Sequence, residues 1–171
     1  MKEKHRRVFF TLMLALVFHG AGAYFVEAFV NYPTWRFIGA EEFRAYHNAL
    51  GERFIPLMVV PWFVEIALTF LLMRFRPRAV PLGAVALAQA FNLVSLASTI
   101  FIQIPIQLQF GSHGMSAEAL DRLIATDPIR WVAFILKLAV YLWMGLRIAA
   151  AGGDDRGEES VGDRYGSEEY V

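Results

Sequence analysis

The chain has 171 residues, 57% of them hydrophobic and 15% aromatic, with 16 basic and 16 acidic side chains and no cysteine. That length suits one compact bundle, and the lack of cysteine excludes disulfide scaffolds, thiolate metal sites and cysteine nucleophiles. The charges balance but are segregated, with bases at the start and over 74–78 and acids after Gly152; that pattern signals orientation and argues against nucleic-acid binding.

Four apolar stretches, 8–32, 54–73, 80–108 and 129–149, each reach the roughly 20 residues a helix needs to cross a bilayer. The expectation is an all-α fold, a polytopic membrane four-helix bundle with a short outer amphipathic helix. It would comprise a four-span domain over 1–150 and an acidic disordered tail over 151–171. Lys2, Lys4, Arg6 and Arg7, and then Arg74, Arg76 and Arg78, stand in segments nearly free of acids. The positive-inside rule puts both segments, and hence both termini, on the cytoplasmic side of the cell (inner) membrane.

The first stretch also resembles a secretory signal, with a basic start, an apolar core and Ala21-Gly22-Ala23 as a cleavage site. Apolar residues continue through Val30, so its length argues for a retained span. His19 lies inside this span, followed by small residues that let a helix or a flat cofactor approach. It is either a hydrogen-bonded packing residue or a haem ligand, with His47 of Tyr46-His47-Asn48 as a second ligand or proton carrier. Glu27 and Asn31, four apart, share a helix face. Pro33 ends the helix.

The run 41–53 reads as an amphipathic helix that either lies on the outer surface or extends the second span, with Phe43, Leu50 and Phe54 on one face. Pro56 and Pro61 should bend that span, and Glu65 lies deep within it. The third span carries a polar stripe, Asn92, Ser95, Thr99, Gln103 and Gln107, with Ser98 alongside. Its plain reading is interhelical hydrogen bonding, worth about 0.6 kcal/mol per side chain; its sharper reading is the wall of a polar cavity. Ser116 can cap a short helix, Pro128 begins the last span, and Arg130, Lys137 and Tyr141 share a face of it. Trp35, Trp62, Trp131, Tyr141 and Trp143 read mostly as interface anchors or lipid-facing packing.

A charge at mid-membrane costs about 2.5–3.5 kcal/mol, so Glu27, Glu65 and Lys137 demand an explanation. Depth counted from the outer ends puts Glu27, Gln103 and Lys137 in the outer half, and either carboxylate could neutralise Lys137. A pocket open to the outside is the economical inference. No phosphate loop, zinc-protease helix or nucleophile elbow occurs.

Asn31-Tyr32-Pro33, Phe43-x-x-Tyr46-His47, Pro105-Ile106-Gln107 and the segment from Ala119 to Trp131, with Asp127-x-Ile129-Arg130, resemble a broad group of small uncharacterised bacterial four-helix integral membrane proteins. The likeness covers 8–146 and is distantly similar to the anthrone-oxygenase-like membrane proteins. In that group the third helix often ends Pro-x-His, where this chain has Gln107. The haem-associated membrane protoporphyrinogen oxidases are similar in size, with a His in helix one, but their Arg-containing helix-one signature is missing here.

Two functional expectations follow. The first is an outward-opening intramembrane polar pocket for a hydrophobic or amphipathic small molecule, with redox chemistry as one use. Glu27 or Glu65 would be the proton acceptor and Lys137 the counter-charge, with His19, Asn31, His47, Asn92, Gln103, Gln107, Arg130 and Tyr141 as ligand-binding side chains. No metal site is expected, and haem is the one cofactor considered. The second is a non-catalytic accessory subunit whose charges pair with each other or with a partner helix. Membrane lipid, a hydrophobic small molecule and homo- or hetero-oligomer contacts are the partners considered.

Overall fold

A computed structural model describes residues 1–166, with side chains through Gly152. The disordered acidic tail expected over 151–171 falls, apart from Ala151 and Gly152, on side chains outside the described residues. The described chain is helical throughout, with no strand. Three long helices, α1 (Glu3–Phe37), α2 (Ala40–Phe75) and α3 (Leu82–His113), are followed by a short α4 (Ala117–Thr126) and a long α5 (Pro128–Gly166). Four segments are long and apolar enough to cross a membrane, the fourth being Ala117–Gly152.

Each long helix packs against the next, and α5 closes the ring against α1. Short connections make neighbours antiparallel, giving an up-down-up-down bundle. We call the end that holds the first residues and Arg74, Arg76 and Arg78 the basic end, and the other the distal end. Only 28–33% of each apolar window is buried in the bundle. The rest, including Phe18, Phe29, Phe70, Phe101 and Leu142, faces outward, which is the composition of an integral membrane protein and not of a soluble one.

Three buried clusters stack along the bundle. Phe10, Met13, Leu72, Val85, Tyr141 and Met144 fill the basic end. Tyr24, Met58, Trp62, Ile66 and Phe134 fill the middle, with the Tyr24 and Phe134 rings stacked at 4.4 Å. Tyr32, Trp35, Phe43, Phe110, Leu120 and Leu123 fill the distal end. Trp35, Trp62 and Tyr141 are thus core residues rather than interface anchors, because their rings pack on buried rings of other helices, Trp35 on Phe43 and Phe110, Trp62 on Phe134 and Tyr141 on Phe10. Trp143, in contrast, is exposed.

At about 1.5 Å per residue, helices of 32–36 residues overshoot a hydrocarbon core of about 30 Å. The surplus forms the distal cap. Residues 41–53 extend α2 without a break from Ala40, settling the choice between extension and surface helix. Phe43 packs against Trp35 and Phe110. Ser116 Oγ accepts the Ala119 N–H to start α4, and Pro128 opens α5.

Three helices contain a π-helical turn, and each stands in the same relation to a proline. The turns Glu27–Asn31, Ile55–Val59 and Thr99–Gln103 end two residues before Pro33, Pro61 and Pro105. A proline lacks the N–H for the carbonyl four residues back, and its ring collides with that carbonyl. Widening the preceding turn relieves the collision. In each case the residue before the proline donates five residues back, Tyr32 to Glu27, Val60 to Ile55 and Ile104 to Thr99. Pro33 therefore does not end α1, which continues to Phe37.

Pro61 leaves the Leu57 carbonyl without its α-helical donor, and His19 Nε2 of α1 meets that carbonyl at 2.9 Å. His19→Ala is expected to cost about 1 kcal/mol, within the range for interhelical hydrogen bonds in membranes. Adding Pro61→Ala, which restores an N–H at position 61, should recover most of that loss. Unfolding in mixed micelles of the two single variants and the double variant checks the cycle.

Candidate functional site

The polar side chains of the bundle gather in two layers. The first is at mid-span. Lys137, 1% exposed, comes from the third turn of α5, Glu65 from α2 and Asn92 from α3. Lys137 Nζ donates to Glu65 Oε2 at 2.8 Å, to Glu65 Oε1 at 3.0 Å and to Asn92 Oδ1 at 2.9 Å. An ammonium has three N–H donors, and all three are taken. Asn92 Nδ2 donates in turn to Glu65 Oε1 at 3.2 Å, and the Lys137 ammonium lies 4.3 Å from the centre of the Phe134 ring. One turn toward the basic end, the Thr69 and Tyr141 hydroxyls meet at 3.0 Å, and Thr69 also donates to the Glu65 carbonyl. Gly20 of α1 faces Glu65: a Cβ there would stand at ordinary contact distance, 4.0 Å, from Glu65 Oε2.

The second layer lies toward the distal end and is built on Asp127, in the turn between α4 and α5. Its Oδ1 accepts from Arg130 Nε at 2.9 Å, from Arg130 Nη2 at 2.5 Å and from the Tyr24 hydroxyl at 2.8 Å. The Asp127 carbonyl accepts the Arg130 and Trp131 N–H groups, so its carboxylate also faces the positive end of α5. Arg130 Nη2 reaches the Tyr32 hydroxyl at 3.2 Å, Gln107 Nε2 reaches the same hydroxyl at 3.4 Å, and Gln107 Oε1 meets His47 Nε2 at 2.7 Å. The chain of contacts thus runs His47, Gln107, Tyr32, Arg130, Asp127, Tyr24, from α2 across α3 and α1 to α5. Gln103 stands beside it, donating to Thr126 Oγ1 at 3.1 Å.

Glu27 lies in the α1 π turn, 3% exposed, where Asn31 Nδ2 donates to its Oε2 at 2.5 Å. It is close enough to Arg130 and Asp127 for electrostatic contact, with no direct bond to either. Among the described residues Glu65 has Lys137 and Asp127 has Arg130, and Glu27 is the buried carboxylate without a bonded cation.

The sequence-derived candidates therefore divide. Glu65, Lys137 and Asn92 come together, with Tyr141 one hydroxyl away through Thr69. Glu27, Asn31, His47, Gln107 and Arg130 belong to the distal layer, and Gln103 stands at its edge. His19 is in neither; it is exposed on the outside of α1 and bonded to Leu57. No three His, Asp or Glu side chains converge among the described residues. Two surface grooves, one beside Lys4, Arg7 and Leu12 and the other beside Leu87, Phe91 and Trp143, do not touch Glu27, Gln103 or Lys137.

Sequence reasoning did not select Asp127, Tyr24, Tyr32, Thr69 or Thr126. Asp127 and Arg130 are three apart at a helix start, a spacing that signals a local pair. The tyrosines gave no such signal, since a Tyr near a span end is ordinarily an anchor. Comparison of the chain with family models, with curated proteins and with solved structures finds no match in any of the three, so the functional reading rests on the geometry.

Lys137→Met and Glu65→Met singly should each destabilise the bundle by about 3–5 kcal/mol, because each strands a buried charge. The double variant, with an apolar pair of similar volume, should cost far less. Dodecyl sulfate titration of the three variants, followed by circular dichroism, measures the cycle.

Proposed function

We propose that this is a small inner-membrane protein, both termini cytoplasmic, whose distal layer binds a hydrophobic or amphipathic small molecule from the outward-facing half of the membrane through Glu27. The observation that carries the reading is the isolation of Glu27. Every other buried carboxylate among the described residues is matched by a cation, whereas Glu27 accepts from one neutral amide on its own helix. A carboxyl buried without a cation is expensive, and it recovers that cost when a ligand brings it a donor. It also sits in a π turn, a distortion found often at functional sites.

The layer suits a molecule with an apolar body and a hydroxyl or amine head. Glu27 would accept from the head, the Asn31 amide would turn to an acceptor on it, and Arg130, fixed by Asp127 and Tyr32, would supply a positive field without moving. His47 stands at the far end of the bonded chain, its Nε2 against Gln107 Oε1. A redox use of the site would draw on the same bonded chain. The mid-span layer takes no part: with its ammonium donors filled, the Glu65–Lys137 pair serves assembly, as the accessory-subunit reading holds for all the charges.

A hydrophobic carbodiimide, which reacts with accessible protonated carboxyls in membranes, is expected to form one adduct, on Glu27, detectable by mass spectrometry of the intact chain and its peptides. Glu65 should stay unlabelled. Glu27→Gln should remove the adduct and leave folded yield unchanged. It should also strip from the gently purified protein an extractable small molecule present at near-equal amount in the natural protein. Loss of assembly in Glu27→Gln, with no bound molecule in either protein, would replace this reading with the accessory-subunit one.

A further inference from the structure

The lipid-facing side of the bundle is not uniform. Where α3 and α5 run together from mid-span to the basic end, they leave a groove of about 570 Å³ between them, within the range of small-molecule sites, about 300–1,000 Å³. Small residues open it: Gly83 and Ala84 on α3 and Ala139 on α5 line it, and a Cβ at Gly83 would meet nothing within 4 Å. Phe91 lines it near mid-span, and Pro81 and Trp143 at the basic end. Over 81–91 the chain rises about 15 Å, half of a hydrocarbon core of about 30 Å. The groove is therefore about one leaflet deep, and apart from the Trp143 indole its lining carries no hydrogen-bonding side chain.

The groove ends among cations. Arg147, one turn beyond Trp143, holds its guanidinium 5.1 Å from the centre of the indole ring, a cation–π contact that keeps the charge at the groove's end. Lys137 marks mid-span, and the chain from there to Arg147 rises about 15 Å, which reaches the edge of the hydrocarbon, where headgroups begin. Arg78 stands three residues before Pro81. Both arginine side chains are exposed, and neither has a carboxylate partner among the described residues. Glu3, the acid described at that end, is engaged by the Arg78 backbone N–H and by Arg7.

We propose that this groove is a binding site for one anionic phospholipid of the leaflet at the basic end. An acyl chain lies between α3 and α5 along Gly83, Ala84 and Ala139, and the headgroup sits in the field of Arg147 and Arg78. The apolar lining suits the chain, and the guanidinium fork suits a phosphate. Basic sites between membrane helices at this level are where anionic headgroups bind. A zwitterionic lipid fills the groove equally well but brings a cation of its own to the arginines. A second copy of the chain, inserted the same way, would bring its own basic end against this one, and like charges oppose that contact.

Native mass spectrometry of the full chain, in micelles carrying phosphatidylglycerol and phosphatidylcholine with identical acyl chains, tests the site. One phosphatidylglycerol is expected to stay bound, preferred about 25-fold over phosphatidylcholine, with each guanidinium supplying about fivefold. Arg147→Gln and Arg78→Gln should each lower that preference about fivefold and leave the fold intact, since both side chains are exposed. Ala139→Phe, which fills the groove, should remove both lipids while circular dichroism shows a folded bundle. Gly83→Leu gives the same readout if Ala139→Phe does not fold. Equal retention of the two lipids overturns the proposal. So does phosphatidylglycerol that stays bound when the groove is filled, or a dimer mass in place of the lipid adduct. The groove does not touch Glu27, whose carbodiimide adduct is read separately.

Discussion

The ammonium of Lys137 is the constraint around which the bundle is arranged. An unpaired lysine at mid-span costs about 2.5–3.5 kcal/mol on the most lenient scale, and one carboxylate fills only part of its coordination. The structure fills it from two helices, with Glu65 of α2 giving both oxygens and Asn92 of α3 the third acceptor. Gly20 of α1 stands against the carboxylate. All four long helices therefore meet at one level, and the register of each is set there. Apolar packing cannot set it as sharply, because lipid tails compete equally for a leucine face.

The distal half follows a different logic. Its helices have outrun the hydrocarbon and are joined by aromatic packing of Trp35, Phe43 and Phe110 and by the bonded chain through Arg130. The prolines and π turns lie in this part of the sequence of α1, α2 and α3. Each π turn fits one extra residue into a turn, so the face below it and the face above it point in different directions. In α1 the turn separates Tyr24 from Tyr32 and Trp35, with Glu27 at its first position, and all four side chains are buried.

The same change of phase explains what the sequence revealed and what it hid. The four spans were visible because length and apolar content alone decide them, and the Ser116 cap and the Pro128 start were visible as local chemistry. The polar stripe on α3 was visible because its members follow one another at three or four residues within one helix. The grouping of candidates was not. Counting depth along ideal helices brought Lys137 up to Glu27 and Gln103, whereas the Lys137 side chain turns to Glu65 and Asn92. Helix periodicity says which residues share a face of one helix; it does not say which faces of different helices meet. Asp127 and Tyr24 bond across 103 residues of chain, and no local pattern reports such a contact.

The ion pair also bears on how the protein is made. Glu65 and Lys137 are 72 residues apart, so during synthesis the carboxylate of α2 enters the membrane well before its cation exists. When α3 follows, the Asn92 amide offers it a neutral partner and no charge. Three inserted helices are thus an electrostatically unfinished object, complete only when α5 arrives. A chain stopped before α5 would therefore hold the Glu65 carboxyl inside the bundle with no cation to match it.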